Sequence, residues 1–333
     1  MKVSVVVPAR NEERHLGACL DSILAGLAAV GGGEVLVVDG RSTDGTGRVV
    51  AEYASRFPSI RLVPNPRRIT AAAFNIGIQA AASARIAIIG AHSTVEPDFF
   101  AAALRALDAG EADIVGGPVR TEPDRAGLVA WLLARVVSHP FGVGNSRFRV
   151  STSRRYVDAV PFAVFRREVF EVVGGFDETL GRNQDTEFFG RARAAGFRVL
   201  LDPAVKSVYR ARGTVSGLMR QGFLNAYWNV LVWRRTPRSF RWRHAIPAAF
   251  TATLLGLALL APVTAAARVL LAVALGLHLF AASVAALQIA RRTGRVAPLA
   301  LPPIFFAYHF TYGLGSIAGL RWLLDPRAGT ARG

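Results

Sequence analysis

The sequence predicts an α/β protein: a mostly parallel, Rossmann-like sheet flanked by helices, followed by C-terminal transmembrane helices. Three observations carry this. Over residues 3–90, apolar strand-like runs alternate with helical periodicity, the pattern of βαβ units. Polar clusters follow the apolar runs, at the strand ends where open α/β sheets bind ligands. From residue 245 onward the chain changes to long runs almost without charge.

A length of 333 residues allows one large domain or two small ones. With 52% apolar and 19% charged residues, the chain is too apolar for disorder and more apolar than an ordinary soluble enzyme. The single cysteine, Cys19, excludes a disulfide scaffold and a cysteine-cluster zinc site. The net charge of +17 is nearly all arginine, with lysine only at Lys2 and Lys206. No pattern of the known nucleic-acid modules accompanies it, so nucleic acid is not an expected partner.

Val3 to Val7 reads as a buried strand, too short for the apolar core of a secretory signal. Asn11 is expected to cap the next helix, with Glu12 and Glu13 in its first turn. Leu16, Leu20, Ile23, Leu24 and Leu27 carry the helical period. Glu34 to Asp39 is a second strand, Thr46 to Phe57 a helix and Ile60 to Val63 a short strand. Thr70 to Ala82 is a helix and Arg85 to Gly90 another strand. Ala112 to Arg212 mixes shorter strands with polar loops. Within it, Ser138 to Arg155 is glycine-containing and basic, and reads as a loop at a site.

The uncharged runs cover 245–262, 269–290 and 296–320. About 20 apolar residues span a bilayer core, so three such runs flanked by arginine read as membrane segments. Arg234, Arg235, Arg238, Arg241 and Arg243 precede the first, and Arg291, Arg292 and Arg295 follow the second. Only Arg268 lies between them. The positive-inside rule therefore puts the N-terminal domain on the cytoplasmic side of the inner membrane, with a hairpin that crosses and returns. A full crossing by the third run would put Arg321, Arg327 and Arg332 outside. Its Pro302, Pro303, Gly313, Gly315 and Gly319 leave a re-entrant or interfacial path open. The expected division is an α/β domain over 1–228, a basic juxtamembrane segment over 229–244, membrane segments over 245–320 and a tail over 321–333.

The first polar cluster is Pro8-Ala9-Arg10-Asn11-Glu12; the second is Asp39-Gly40-Arg41-Ser42-Thr43-Asp44-Gly45-Thr46. A carboxylate at such a strand end accepts from a base N–H or a ribose hydroxyl; Asp44 reads equally as a helix cap. No dinucleotide or Walker glycine pattern follows the first strand, so those readings fail. Together the clusters resemble the family 2 glycosyltransferases, whose fold is GT-A. Val5 to Glu12 is similar to their opening strand and nucleotide loop, and Val37 to Thr46 to their second motif. Asn75-x-Gly77 fits the same pattern. The resemblance implies that Pro8, Ala9, Arg10, Glu12, Asp39 and Asn75 hold a nucleotide sugar, with Glu12 and Asp39 on the base and ribose.

The family's third motif, Asp-x-Asp, holds a divalent metal on the donor diphosphate. Here that strand end reads Gly90-Ala91-His92. His92 fits the succinoglycan and exopolysaccharide glucosyltransferase branch, which has Asp-Ala-His; Gly90 departs from it. The resemblance makes His92 the metal ligand. An imidazole suits Mn²⁺ better than Mg²⁺, which prefers oxygen.

Gly174-Gly175-Phe176-Asp177 followed by Gln184-Asp185-Thr186-Glu187 is similar to the family's fourth motif, with Gln184 replacing an acid. It implies Asp185 as general base, because inverting transfer needs one carboxylate to take the acceptor's proton. Gln184 and Glu187 are implied around the acceptor and diphosphate. Tyr209-x-x-Arg212, Arg220-Gln221 and Trp228 resemble the elements that follow the base. Arg220, Gln221 and Trp228 are thereby acceptor or diphosphate residues, although the same stretch reads as an amphipathic interfacial helix. The resemblance covers Lys2 to Trp228. It implies a membrane-anchored inverting enzyme moving a hexose from a nucleotide sugar, UDP-linked, to a lipid-linked glycan in polysaccharide assembly, with Mn²⁺ or Mg²⁺. A polyprenyl-phosphate sugar synthase and a silent GT-A scaffold are the alternatives.

Overall fold

The computed structural model describes residues 1–144, 153–211, 213–239 and 242–325. Arg212, Arg241, Arg327, Arg332 and the 145–152 part of the basic loop lie outside the described residues. The chain forms two units. One is Met1–Arg120 with Ser151–Arg210; the other is Thr121–Val150 with the chain from Ala211 onward.

In chain order the first unit holds β1 (Ser4–Ala9), α1 (Leu16–Ala28), β2 (Glu34–Asp39), α2 (Thr46–Arg56), β3 (Ile60–Pro64) and α3 (Thr70–Ala80). There follow β4 (Arg85–Ile88), β5 (Ser93–Val95), α4 (Phe99–Asp108), β6 (Ile114–Gly116) and β7 (Val119–Pro123). The second unit then takes α5 (Leu128–Val136) and α6 (Pro140–Val143). The chain returns for β8 (Arg155–Tyr156), β9 (Val164–Arg166), α7 (Arg167–Val173), α8 (Gln184–Ala194), β10 (Val199–Leu201) and β11 (Ser207–Ala211). The remainder is helical: α9 (Val215–Arg235), α10 (Trp242–Leu260), α11 (Ala265–Thr293), α12 (Pro302–Gly319) and the short α13 (Arg321–Leu324).

The main sheet has the order β3-β2-β1-β4-β9-β6-β10-β8. β1 pairs in parallel with β2 on one side and β4 on the other. The chain moves outward from β1 to β3 and then jumps back to β4. That reversal leaves a crevice at the carboxyl ends of β1 and β4, the topological switch point. β9 runs antiparallel between β4 and β6. It is a pairing across long sequence distance, which local alternation does not reveal. Val5, Val6, Val7 and Val35 to Val38 are fully buried, because both faces of these central strands are covered.

The amino ends of the same strands are sealed by Glu34. It is buried, and Ser4 Oγ (2.6 Å) and the Ala82 N–H (2.7 Å) donate to its Oε1. Arg61 donates to Oε2 at 3.0 Å. Burial alone raises this carboxyl, but the three donors outweigh it and hold Glu34 below the usual carboxylate range.

One local expectation is corrected. The first helix begins at Leu16, and Asn11 does not cap it. Asn11 adopts φ 58°. Its Oδ1 accepts from the Thr43 N–H at 2.8 Å, and its own N–H donates to Ser42 Oγ at 2.9 Å. Asparagine tolerates the left-handed region, and the partner loop satisfies it better than a helix start would. Asp44 acts locally as well, accepting from the Thr46 N–H at 3.0 Å.

In the second unit, one described helix is long and apolar enough to cross a bilayer, α11, with mean hydropathy 2.3 over its most apolar stretch. The stretch His244–Leu260 of α10 is apolar but shorter. Exposed large apolar residues crowd both, among them Leu255, Leu259, Val269, Leu277 and Phe280. In α12 the glycines meet neighbours closely: a Cβ on Gly315 would lie 2.2 Å from the Phe223 carbonyl oxygen.

Candidate active site

A cavity of about 470 Å³ opens in the first unit at the switch point. The end of β1 and the loop after it contribute Pro8, Ala9, Arg10 and Glu12; the segment after β4 contributes Gly90, Ala91 and His92; the start of α8 contributes Asp185. Phe74, Phe162, Phe176 and Phe189 supply apolar wall. The first strand end, the third motif and the expected base are thus brought to one space from positions up to 177 residues apart (185 − 8).

His92 Nδ1 lies 2.9 Å from Glu12 Oε1. A carboxylate only accepts, so Nδ1 carries the proton and donates. In the neutral ring Nε2 then keeps the lone pair that a metal requires, with Glu12 fixing the tautomer from behind. Tyr209 packs edge-on to the ring at 5.4 Å between centroids. Among the described residues, no three His, Cys, Asp or Glu gather as a metal cluster. The donors present suit a cation that draws its other ligands from substrate oxygens and water, as Mg²⁺ and Mn²⁺ commonly do. A Cβ on Gly90 would lie 3.3 Å from Phe162 Cε1, so a side chain there needs that ring to give way.

Asp185 is the second residue of α8, two positions after Asn183 at φ 59°. The residue is exposed where it lines the cavity, while protein atoms packed close to the carboxyl partly desolvate it and push it above the usual carboxylate range, against hydrogen bonds from the Thr186 N–H and hydroxyl. Glu187, two residues on, points elsewhere. It is buried and pairs twice with Arg191, at 2.7 and 2.8 Å. Arg191 in turn donates to the carbonyls of Val173 (2.6 Å) and Gly175 (2.7 Å). The Glu187–Arg191 pair therefore holds the Gly-Gly-Phe-Asp loop in place. Gln184 is the first residue of α8 and does not line the cavity.

Asp39 ends β2 beside the cavity residue Gly40, and its carboxylate is occupied by Ser42, whose N–H donates at 3.1 Å. Asn75 likewise turns to protein. Its Nδ2 donates to the Phe176 carbonyl and to Glu178, both at 2.9 Å, and its Oδ1 accepts from the Phe176 N–H at 2.7 Å. Arg220, Gln221 and Trp228 lie on α9, in the second unit.

Two wall residues escaped sequence reasoning. Arg68 has φ 60° and takes a hydrogen bond on its carbonyl from Arg10 at 3.3 Å. Asn65 is 1% exposed; its Nδ2 donates to the Ile69 carbonyl, and its buried Oδ1 has no hydrogen-bond partner among the described residues. The available signal was Asn65-Pro66-Arg67-Arg68, a turn-forming basic run directly before a helix.

The first unit's architecture is the GT-A fold. Mannosyltransferase PcManGT from Pyrobaculum calidifontis, solved with GDP-Man and Mn²⁺, superposes at TM-score 0.63 with 23% identity, covering 93% of this chain and 86% of that one. The profile of Glycosyl transferase family 2 matches residues 4–174, and the chain belongs to that family. It is 29% identical over 221 residues to succinoglycan biosynthesis protein ExoA of Rhizobium meliloti, covering 66% of each chain. It is also 23% identical over 328 residues to a Methanococcus voltae protein, covering 96% of this chain and 97% of that one. That relative is the dolichyl N-acetyl-alpha-D-glucosaminyl phosphate 3-beta-D-2,3-diacetamido-2,3-dideoxy-beta-D-glucuronosyltransferase.

Proposed function

We propose that the protein is a membrane-anchored inverting glycosyltransferase. It moves a hexose from a nucleotide sugar, UDP-linked, to a lipid-linked glycan at the cytoplasmic face of the inner membrane. One observation carries the reading: a single cavity joins the Pro8–Glu12 loop, His92 and Asp185 at the switch point. The lipid-linked acceptor is supported by the Methanococcus voltae relative, a dolichyl-phosphate sugar enzyme by name, which aligns along nearly the whole chain.

Asp185 is the base. It takes the proton of the acceptor hydroxyl as that oxygen attacks the anomeric carbon, and the nucleoside diphosphate leaves from the opposite face. A carboxyl pushed upward is the stronger base of its kind, so the crowding around Asp185 serves the transfer. Arg10 and Arg68 line the same cavity and are placed to meet diphosphate charge with fixed forks. His92, oriented by Glu12, would hold a divalent cation, Mn²⁺ in preference to Mg²⁺. When bound, such a cation neutralises charge on the leaving diphosphate.

The test is product analysis by mass spectrometry, with membranes and a panel of labelled UDP- and GDP-sugars. A glycan product that requires Asp185 supports the reading. A lipid-phosphate product that tolerates Asp185→Asn marks a polyprenyl-phosphate sugar synthase, because that acceptor is already ionised. No turnover with any donor marks a silent scaffold.

A further inference from the structure

The three apolar runs do not behave alike. We infer that α10 and α11 alone cross the bilayer, while α12 lies along its surface. Residue 324 then stays on the same side as the catalytic unit. This rests on the membrane-anchored reading above.

The argument begins with α9. Arg220, Gln221, Asn225 and Asn229 are spread along it, and Arg234 and Arg235 end it. Such a helix does not enter hydrocarbon over its length. The chain enters it directly after β11 and leaves it into the arginine-rich lead of α10, so both its ends lie on the catalytic side.

α12 is bound to α9 along its length and in the same direction. Gly222 faces the Tyr308 ring, where a Cβ would come within 2.8 Å; Gly315 meets the Phe223 carbonyl; a Cβ on Gly319 would lie 2.7 Å from the Tyr227 carbonyl oxygen. At the far end Arg234 donates to the carbonyls of Trp322 and of Asp325, the latter at 2.7 Å. Partners rise together in both helices, so the two run parallel. A helix clamped alongside one that stays at the surface stays there too.

Surface chemistry agrees. Leu259, Leu277 and Phe280 of the α10–α11 hairpin are 79%, 66% and 70% exposed, whereas no large apolar side chain of α12 is exposed. The hairpin has a broad face for lipid; the large apolar side chains of α12 are half-buried or buried against neighbouring helices. α12 is long enough to cross but not apolar enough, whereas α11 meets both conditions and the His244–Leu260 stretch of α10 is apolar and falls short only in length. Beyond it, the Arg321 guanidinium lies 4.9 Å from the Tyr227 ring and 5.0 Å from that of Trp322, with Trp228 and Trp322 5.4 Å apart. Arginine among aromatic rings is the chemistry of the headgroup layer. The arrangement also returns Arg321 to the positive side.

The chain's one cysteine makes a clean test. Cys19 is fully buried, and burial pushes its thiol up to about 12, so it is inert to maleimide. Val263→Cys, in the α10–α11 turn, and Leu324→Cys, at the end of α13, are placed singly in the full chain at exposed positions. Spheroplasts are treated with a membrane-impermeant maleimide before and after lysis. The expected result is labelling of Val263→Cys in intact spheroplasts and of Leu324→Cys only after lysis. Labelling of both from outside overturns the inference and leaves the anchored reading standing. Labelling of neither before lysis also overturns the inference, because the hairpin then does not cross; the anchored reading falls only where carbonate releases the wild-type chain from membranes. Both variants must retain wild-type carbonate-resistant membrane association.

Discussion

The two ends of the same parallel strands are built on opposite rules. At the amino ends of β1, β2 and β4, Glu34 is buried with a donor on each oxygen, and its carboxyl is held down. At the carboxyl ends, Asp185 is pushed upward and Asn65 keeps a buried acceptor with no hydrogen-bond partner among the described residues. His92 spends one ring nitrogen on Glu12. A polar group satisfied inside the fold adds stability. One left for a ligand taxes stability until the ligand arrives. The contrast separates what the sheet needs to exist from what it needs to act.

The largest expected effect lies at the acting end. Asp185→Asn keeps shape and hydrogen bonding but removes the proposed base, and loss of a general base typically costs about 10²–10⁴-fold in rate. Its stability should move the other way. Because the folded carboxyl sits above its unfolded value, its charged form is disfavoured by folding. The variant should therefore be slightly more stable than the wild type at neutral pH. That gain should vanish as pH falls below the unfolded carboxylate range. The acid limb of wild-type turnover should also lie above that range. Urea unfolding at pH 7 and pH 4, beside the rate–pH profile, checks all three. A variant less stable at pH 7 breaks the contrast.

Asn75→Ala is next. Although its motif suggests the nucleotide, its hydrogen bonds go to Phe176 and Glu178. Each orphaned buried group costs about 1–3 kcal/mol, so unfolding should shift by at least that much. Because Phe176 lines the cavity, turnover should fall while nucleotide-sugar affinity, read by calorimetry, changes little. A large loss of affinity with unchanged stability would return Asn75 to the nucleotide.

At the opposite edge, Glu34→Gln leaves Arg61 without its carboxylate and faces an amide N–H₂ toward other donors. A loss of about 1–3 kcal/mol is expected, with rate and affinity intact. The sign follows from the depressed carboxyl. Its stabilisation is present above the unfolded carboxylate range and is lost as pH falls through the folded value. Wild type and variant should thus converge in acid.

Elements with their own period were legible in sequence. Glu34 to Asp39 matches β2 to the residue, and α2 and α3 end within two residues of expectation. The Pro8–Glu12 segment, His92 and Asp185, each following a recognisable apolar run or glycine pair, line one cavity, so their convergence on one space was legible too. What escaped is non-local. Asn11 resembles a helix cap until Thr43, 32 residues away, claims its oxygen. The Glu187–Arg191 spacing is readable as i,i+4, but the carbonyls of Val173 and Gly175 that Arg191 binds are not. Antiparallel β9 depends on partners in β4 and β6 that no local pattern announces.

The smallest effect tests whether every polar bridge near the site matters. Arg48 in the first turn of α2 pairs with Glu13 at 2.7 Å, across the loops after β1 and β2. The pair looks like a clamp on the loop after β1. Its arginine side chain is 79% exposed, however, so water and salt screen it. A positive charge near a helix N-terminus is also disfavoured by the helix dipole, which trims the gain further. Glu13 keeps the Gly45 N–H at 3.0 Å whether or not Arg48 is there. Arg48→Ala should therefore cost about 0–1 kcal/mol, and that difference should disappear in 1 M salt, where the screening length is about 3 Å. Nucleotide-sugar affinity should be unchanged. Paired urea titrations at low and high salt decide it: a salt-independent loss above about 1 kcal/mol would show that this loop bridge is desolvated and belongs with Glu34, on the side of the fold that stability depends on.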